Sequence, residues 1–553
     1  MLDKRLSGLL LLLVLCLAMP VLPLHARSAE PIAPHYPVPL AAANRGDGHP
    51  DIAVGVPGED IGDAAADAGA VNVFYSGQYG ISALYNRIWD QDDLWGDSDA
   101  ETFDVFGSAL AAGDFDGDGW DDLAVGVPQE DVTVGGYVSN AGIIQVLYGG
   151  PSGLSTAGLQ AWCQGGCDGL LDTAEDNDQF GYALAAGDFN ADGYDDLAVG
   201  VPYEDVGTIT DAGAVNVVYG SPTGLSLLGV DDQFWNQDSP YVEGGCEEWD
   251  RFGYTLAAGD FDADGWDDLA IGVPFEHVGT TADAGAVNIL YGSTYGLASV
   301  GDQIFDQGDL QGGVGENDLF AYALAAGRLG GDNYGDLAIG VRNEDVDGFS
   351  AAGAVNIIYG ALGGLSTANN QYYDQGSLEN SPGVNDFFGS ALAIGDLDGD
   401  GYGDLAVGVP REDVDGAADA GGINVIFGTA SRLSVTGNIF WCENGVLPGM
   451  SEADEQAGFA LAAGDLDADG DDELVVGVPY MDVGDVLEAG AIDVIGGFDP
   501  WPGGGVYGWS QDTGGVQGMC ELEDHFGMAL AIGDFRGFRT YLPIISRSHE
   551  QPV

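Results

Sequence analysis

The sequence predicts an all-β chain folded as a seven-bladed β-propeller of four-stranded blades, and three observations predict it. A Gly- and Asp-rich unit of about 70 residues recurs along the chain. Each unit holds four short runs rich in Val, Ile, Tyr and Phe, bounded by Gly, Pro and Asp, which read as strands. The first unit has only its back half, DIAVGVP from Asp51, and the last only its front half, FGMALAIGDF from Phe526. Six internal units and one split unit make seven blades, and radial repetition of four-stranded sheets is a propeller. A linear solenoid would need atypical capping units; these ends are complementary halves.

The elements follow in a fixed order. The first run, as in residues 106–115 (FGSALAAGDF), is Ala-rich, but it is too short for a helix and Gly closes it. Its marker falls at Phe106, Phe180, Phe252, Phe320, Phe388 and Phe526, with Ala457 as the one copy lacking Phe. An acidic loop comes next. A second run of LAVGV type leads into a polar VPxED turn, a third run follows as in residues 212–220, and a fourth as in residues 303–306. The final front half is expected to pair beside Ile52 to Val56, because an open ring would expose two unpaired sheet edges. The apolar run 541–545 is expected to add a strand there.

The acidic loop carries the chemistry. GDFDGDGWDDLAVGVP from Gly113 recurs from Gly187, Gly259, Gly395 and Gly464. Counting from the first Asp, side-chain oxygens stand at positions 1, 3, 5 and 9, with Gly at position 6 for the sharp bend and a backbone carbonyl at position 7. Such an oxygen cage suits a hard cation, Ca²⁺ over Mg²⁺ because the ligands are many and the loop flexible. The candidate ligands are Asp114, Asp116, Asp118, Trp120 and Asp122; Asp188, Asn190, Asp192, Tyr194 and Asp196; Asp260, Asp262, Asp264, Trp266 and Asp268; Asp396, Asp398, Asp400, Tyr402 and Asp404; and Asp465, Asp467, Asp469, Asp471 and Glu473. Position 9 leads straight into a strand, which excludes the helix-flanked EF-hand. Clustered carboxylates repel one another strongly without a counter-ion. A sixth copy from Gly327 has Arg328 and Gly330 at positions 1 and 3 and is expected to hold no metal. The composite loop at the ring closure has too few carboxylates to hold an ion firmly.

Composition narrows the partners. The chain has 553 residues, 90 acidic and 13 basic, for a formal net charge of −77. So negative a surface repels nucleic acid and anionic lipid. Lys4 and Arg5 before the apolar run from Leu9 to Met19 read as a signal peptide over residues 1–29, which implies export. A Pro-rich linker covers 30–43, the propeller 44–535 and a tail 536–553. No later segment has the length of apolar sequence that a membrane span needs. Cys163 and Cys167 would close a small local disulfide loop, while Cys246, Cys442 and Cys520 either pair or stay as partly buried thiols.

The ordered recurrence of Phe-Gly, the small-residue run, the D-x-D-x-D-G-x-x-D loop and the Ala-Gly-Ala-Val turn resembles FG-GAP repeats, which build the seven-bladed propeller of integrin alpha chains. The resemblance covers about residues 44–535 and implies Ca²⁺ at the five loops. It also implies a non-enzymatic binding or adhesion module, secreted and monomeric, that meets a protein or carbohydrate ligand on a propeller face. A secreted hydrolase and a lectin-type propeller are the alternatives. None of the six His residues sits in a Ser/His/Asp or HExxH context. Phe234, Trp235, Phe440, Trp441 and Trp509 either line a binding face or, as the simpler reading, pack between blades. Arg45-Gly46-Asp47, an integrin-recognised tripeptide, falls in the degenerate first loop.

Overall fold

In a computed structural model the described residues are 49–535, without 62–64, 78–79, 82, 84–85, 96–99, 134, 166–169, 229–231, 379, 443–450 and 497–505. The signal peptide, the linker, the Arg45-Gly46-Asp47 tripeptide and the tail with its run 541–545 lie outside them, as does Cys167. Cys163 is disulfide-bonded, while Cys246 and Cys520 are free thiols.

Among the described residues there are seven four-stranded antiparallel sheets and one two-stranded ribbon, Val132–Thr133 with Tyr137–Val138. The first blade is composite, with Asp51–Val56, Ala70–Phe74 and Asn86–Trp89 completed by Ala529–Gly533 from the other end of the chain. The closing register sets Asp51 opposite Gly533 and Gly55 opposite Ala529, the pairing that the split repeat predicts. Blade four serves as the type: Thr255–Gly259, Asp268–Val273, Ala286–Tyr291 and Ala298–Phe305. In blade five the corresponding strands are Phe320–Gly327, Asp336–Val341, Ala354–Tyr359 and Ser366–Tyr373.

Residue size follows the wedge shape of a blade. First strands such as Ala109–Gly113 (ALAAG) abut the first strands of both neighbouring blades. Ala, Gly and Leu dominate these strands, with Ile394 and Ile532 among the few larger branched residues. Second strands such as Asp122–Val127 are buried at every position, so they read as continuous apolar runs rather than alternating ones. Fourth strands such as Ser155–Trp162 are largely open along their length and end on a buried aromatic. Trp441 is such a terminal aromatic, and Trp235 and Trp509 pack, partly buried, against inter-blade cores; the structure supports the packing reading for these three, while Phe234 and Phe440 are half-buried fourth-strand residues outside those cores.

The cores lie between blades rather than within them. One joins Ala111, Val146 and Phe115 to Leu184 and Val199 of the next blade. The Phe-Gly marker is half of this joint. Phe106 is fully buried, and its N–H donates to the Ala68 carbonyl of the preceding blade at 2.8 Å. Gly126 of one blade faces the Gly181 carbonyl of the next so closely that a Cβ would lie 2.2 Å from that oxygen. The Gly of LAVGV is therefore a docking position between blades.

Candidate metal centre

The five D-x-D-x-D-G loops share one backbone path. Position 4 is left-handed in each (Gly117, Ala191, Ala263, Gly399, Ala468), and so is the Gly at position 6 (Gly119, Gly193, Gly265, Gly401, Gly470). Three copies hold Ala at position 4 despite the cost of that conformation for a residue with a Cβ; the sequence alone points only to position 6. The path lets the position 1 carboxylate span the turn. Asp260 Oδ1 accepts the Asp264 N–H at 3.1 Å and Oδ2 the Gly265 N–H at 3.2 Å. Asp188 and Asp465 repeat both bonds.

Oxygens from positions 1, 3 and 9 converge to within 4.8 Å of one another in four loops: Asp114, Asp116 and Asp122; Asp260, Asp262 and Asp268; Asp396, Asp398 and Asp404; Asp465, Asp467 and Glu473. The loop at Asp188 has Asn190 at position 3 and so lacks a third carboxylate. Asn190 is nonetheless buried, and its side-chain oxygen meets no donor. Asp396 Oδ1 is a similar buried orphan. Converging carboxylates and buried acceptors without donors fit a hard cation.

The other predicted ligands are the position 5 carboxylates and the position 7 backbone carbonyls. The position 5 carboxylates accept the position 7 N–H, as Asp118 does from Trp120 and Asp264 from Trp266, both at 3.1 Å. The position 7 side chains reach the previous blade. Trp266 Nε1 donates to the Asn190 carbonyl at 3.1 Å, and Tyr194 lies over Gly117.

Position 9 does two jobs. Asp268 Oδ2 accepts the Phe261 N–H at 2.8 Å and Oδ1 the Gly292 N–H at 2.9 Å, tying the loop to the end of the third strand. Burial pushes its carboxyl up to about 8, with the loop's own Asp262 and Asp260 adding to the shift. Asp122 and Asp196 are raised well above the usual range by the same cause, Asp404 to about 7 and Glu473 to about 8. The Arg328 loop keeps this arrangement with Asp336, which accepts the Leu329 and Gly360 N–H groups at 2.8 and 2.9 Å. It makes no position 1 bridge, and neither Gly331 nor Asn333 is left-handed.

Position 8 is a functional position that the sequence does not announce. Asp195 Oδ2 accepts the Asp114 N–H at 2.9 Å, and its own N–H donates to the Asp114 carbonyl at 3.0 Å. Asp267 holds Asp188 the same way, Asp472 holds Asp396, and Asp121 holds Asp534 across the ring closure. Each thus fixes position 1 of the preceding blade's loop. Burial raises Asp121 to about 8 and Asp267 and Asp472 to about 6.

The VPxED turns sit at the other ends of the strands. Their Glu residues are clasps. Glu276 accepts from Gln237 at 2.9 Å and Glu344 from Gln307 at 2.7 Å. Glu59, Glu130, Glu204 and Glu412 accept from Gln511, Gln91, Gln164 and Gln375. Each Gln follows the fourth strand of the preceding blade, so the clasp joins neighbours. The signal was present in sequence as an aromatic-x-Gln recurrence, from Trp89 and Gln91 to Trp509 and Gln511.

Comparison with known proteins agrees with this geometry. The FG-GAP repeat family matches residues 106–147, 180–218, 252–290 and 388–425. Integrin alpha pat-2 of Caenorhabditis briggsae is 31% identical over 43% of this chain and 18% of its own length. Integrin alpha-5 of Xenopus laevis is 33% identical over 43% of this chain and 20% of its own. Phosphatidylinositol-glycan-specific phospholipase D of Mus musculus is 35% identical over 31% of this chain and 18% of its own. The matched segments thus span about a fifth of each relative. No helix among the described residues is long and apolar enough to cross a membrane.

Proposed function

We propose that this FG-GAP-repeat propeller, similar to integrin alpha chains, is an exported, calcium-stabilised binding module without catalytic activity. It would take a protein or carbohydrate ligand on a propeller face. The observation that carries the reading is the convergence of positions 1, 3 and 9 in four loops of one path. Asp114, Asp116 and Asp122 and their counterparts would hold Ca²⁺, with Asp188, Asn190 and Asp196 as a weaker fifth site. At extracellular affinities of about 10⁻⁴–10⁻³ M, millimolar Ca²⁺ would stabilise each loop by about 0.4–1.4 kcal/mol. Support for export is the segment 1–29, and support for adhesion is the integrin likeness. The test is a pull-down and a glycan array run with Ca²⁺ and with chelator. Saturable, calcium-dependent capture supports the module, and calcium-independent capture separates binding from the metal.

The phospholipase D relatives favour a second reading, a secreted hydrolase. An assay for release of phosphatidylinositol-glycan anchors decides it. Turnover that survives purification and falls on mutation of a single residue would replace the binding reading.

A further inference from the structure

His277 breaks the most regular feature of the VPxED face. The other blades carry Asp60, Asp131, Asp205, Asp345, Asp413 and Asp482 at its position, and each accepts a backbone N–H from within its own turn. Asp205, for example, takes the Asp211 N–H at 2.9 Å. An imidazole there gives up that bond. Its Nδ1 lies 3.4 Å from the Phe275 carbonyl and 3.8 Å from the Asp283 carboxylate.

The imidazole instead faces two carboxylates. One nitrogen of His277 and one oxygen each of Glu247 and Asp250 lie within 4.8 Å of one another. A second observation points to a missing ligand. Asp250 is fully buried, one of its oxygens accepts the Glu247 N–H, and the other meets no donor. A buried acceptor left without a partner is costly, and a cation would supply that partner. Asp524 of the composite blade has the same orphan oxygen, but Asp60 stands where His277 would be, and among the described residues no cluster of three possible ligands gathers at Asp524.

The donor set names the metal class. Ca²⁺ takes oxygens and wants six or more. One imidazole and two carboxylates suit a first-row divalent ion, zinc above all, with open positions left for water or a ligand. Glu276 and Asp283 add negative charge nearby. Arg251, stacked over Tyr203 and Phe275, offsets only part of it. We propose that Glu247, Asp250 and His277 bind a zinc-class divalent cation at the end of blade four opposite its acidic loop, independently of calcium.

The test titrates Zn²⁺ calorimetrically into the full chain at neutral pH, with Ca²⁺ in excess to occupy the loops. One site of micromolar affinity is expected. His277→Asp writes in the residue of the other six blades, which keeps the turn, and should weaken the site by about tenfold or more. X-ray absorption at the zinc edge should give a nitrogen and oxygen shell with imidazole scattering. No micromolar site, equal affinity in the His277→Asp protein, or sulfur in the shell (zinc on Cys246 or another thiol) would each overturn the proposal.

Discussion

Blades four and five are neighbours with nearly the same strands and opposite loops. Their second strands differ in nothing, since Asp268–Val273 and Asp336–Val341 both read DLAIGV and are buried throughout. Their position 9 carboxylates make the same two backbone bonds. Yet blade four gathers three carboxylates, while blade five puts Arg328 and Gly330 in their place and drops the left-handed turns. The difference separates two demands that one motif carries. Position 9 serves the fold whether or not an ion binds, and it is kept. Positions 1, 3, 4 and 6 build the carboxylate cluster that would hold an ion, and in blade five they drift together.

The comparison breaks first if calcium is irrelevant. Chelation should lower the melting temperature of the wild-type protein more than the loss of any one loop's carboxylates, because four or five loops each lose about 0.4–1.4 kcal/mol. Ca²⁺ should restore it better than Mg²⁺, which demands a stiffer octahedral site. A melting curve that chelator leaves in place would remove the ion from the account of blade four.

Single substitutions come next. Asp336→Ala would strand two N–H groups at about 1–3 kcal/mol each, with and without Ca²⁺ alike. Asp260→Ala should cost stability mainly when Ca²⁺ is present and remove one bound ion by calorimetry. Equal calcium dependence in both variants would show that position 9 of blade five also holds metal.

What was legible in the sequence, and what was not, follows the same division. The strands, their order and the ring closure through Ile52 and Ile532 could be read because each depends on a local run and its repetition. The convergence of positions 1, 3 and 9 could be read because they lie within nine residues. The position 8 staple could not, and of the Glu–Gln clasp only the recurrence of its Gln could, not its partner. Asp195 acts on Asp114 and Gln237 on Glu276, across a blade boundary, so their partners become neighbours only once the ring has formed. The acids of WDDLA look like one solvated pair, although Asp267 and Asp268 face different blades.

Acidity sharpens the comparison further. Buried carboxyls pushed up to about 8, as in Asp121, Asp268 and Glu473, keep a proton in the fold at a pH where the unfolded chain has lost it. The folded state therefore binds more protons, and stability falls as pH rises from the ordinary carboxylate range through about 8. In chelator, the melting temperature should be higher near pH 5 than near pH 8. Calcium should flatten that slope, because the ion replaces the protons at the loops, and its binding should release protons. A calcium-free protein that gains stability between those pH values would contradict the burial of these groups.

The smallest expected effect is the rebuilding of blade five. Room exists for it. A Cβ at Gly330 would lie 3.6 Å from the Ser431 carbonyl and 3.9 Å from Asp336 Oδ2, ordinary contact that also aims a new carboxylate at position 9. Arg328→Asp with Gly330→Asp supplies the ligands but not the path, because Asn333 is not left-handed where the other five loops have Gly. Adding Asn333→Gly removes the Cβ that resists that turn. The triple variant should bind one Ca²⁺ more than wild type and gain about 1 kcal/mol from it. In chelator it should be less stable than wild type, since the new carboxylates repel Asp336 and the new Gly loosens the unfolded chain. The double variant should bind that ion more weakly or not at all. If it binds as well as the triple, ligand identity alone decides occupancy and the left-handed turns are a consequence of the acids. If neither binds, position 4 holds the loop shut, where Gly331 already lies against the Ala430 carbonyl of the next blade.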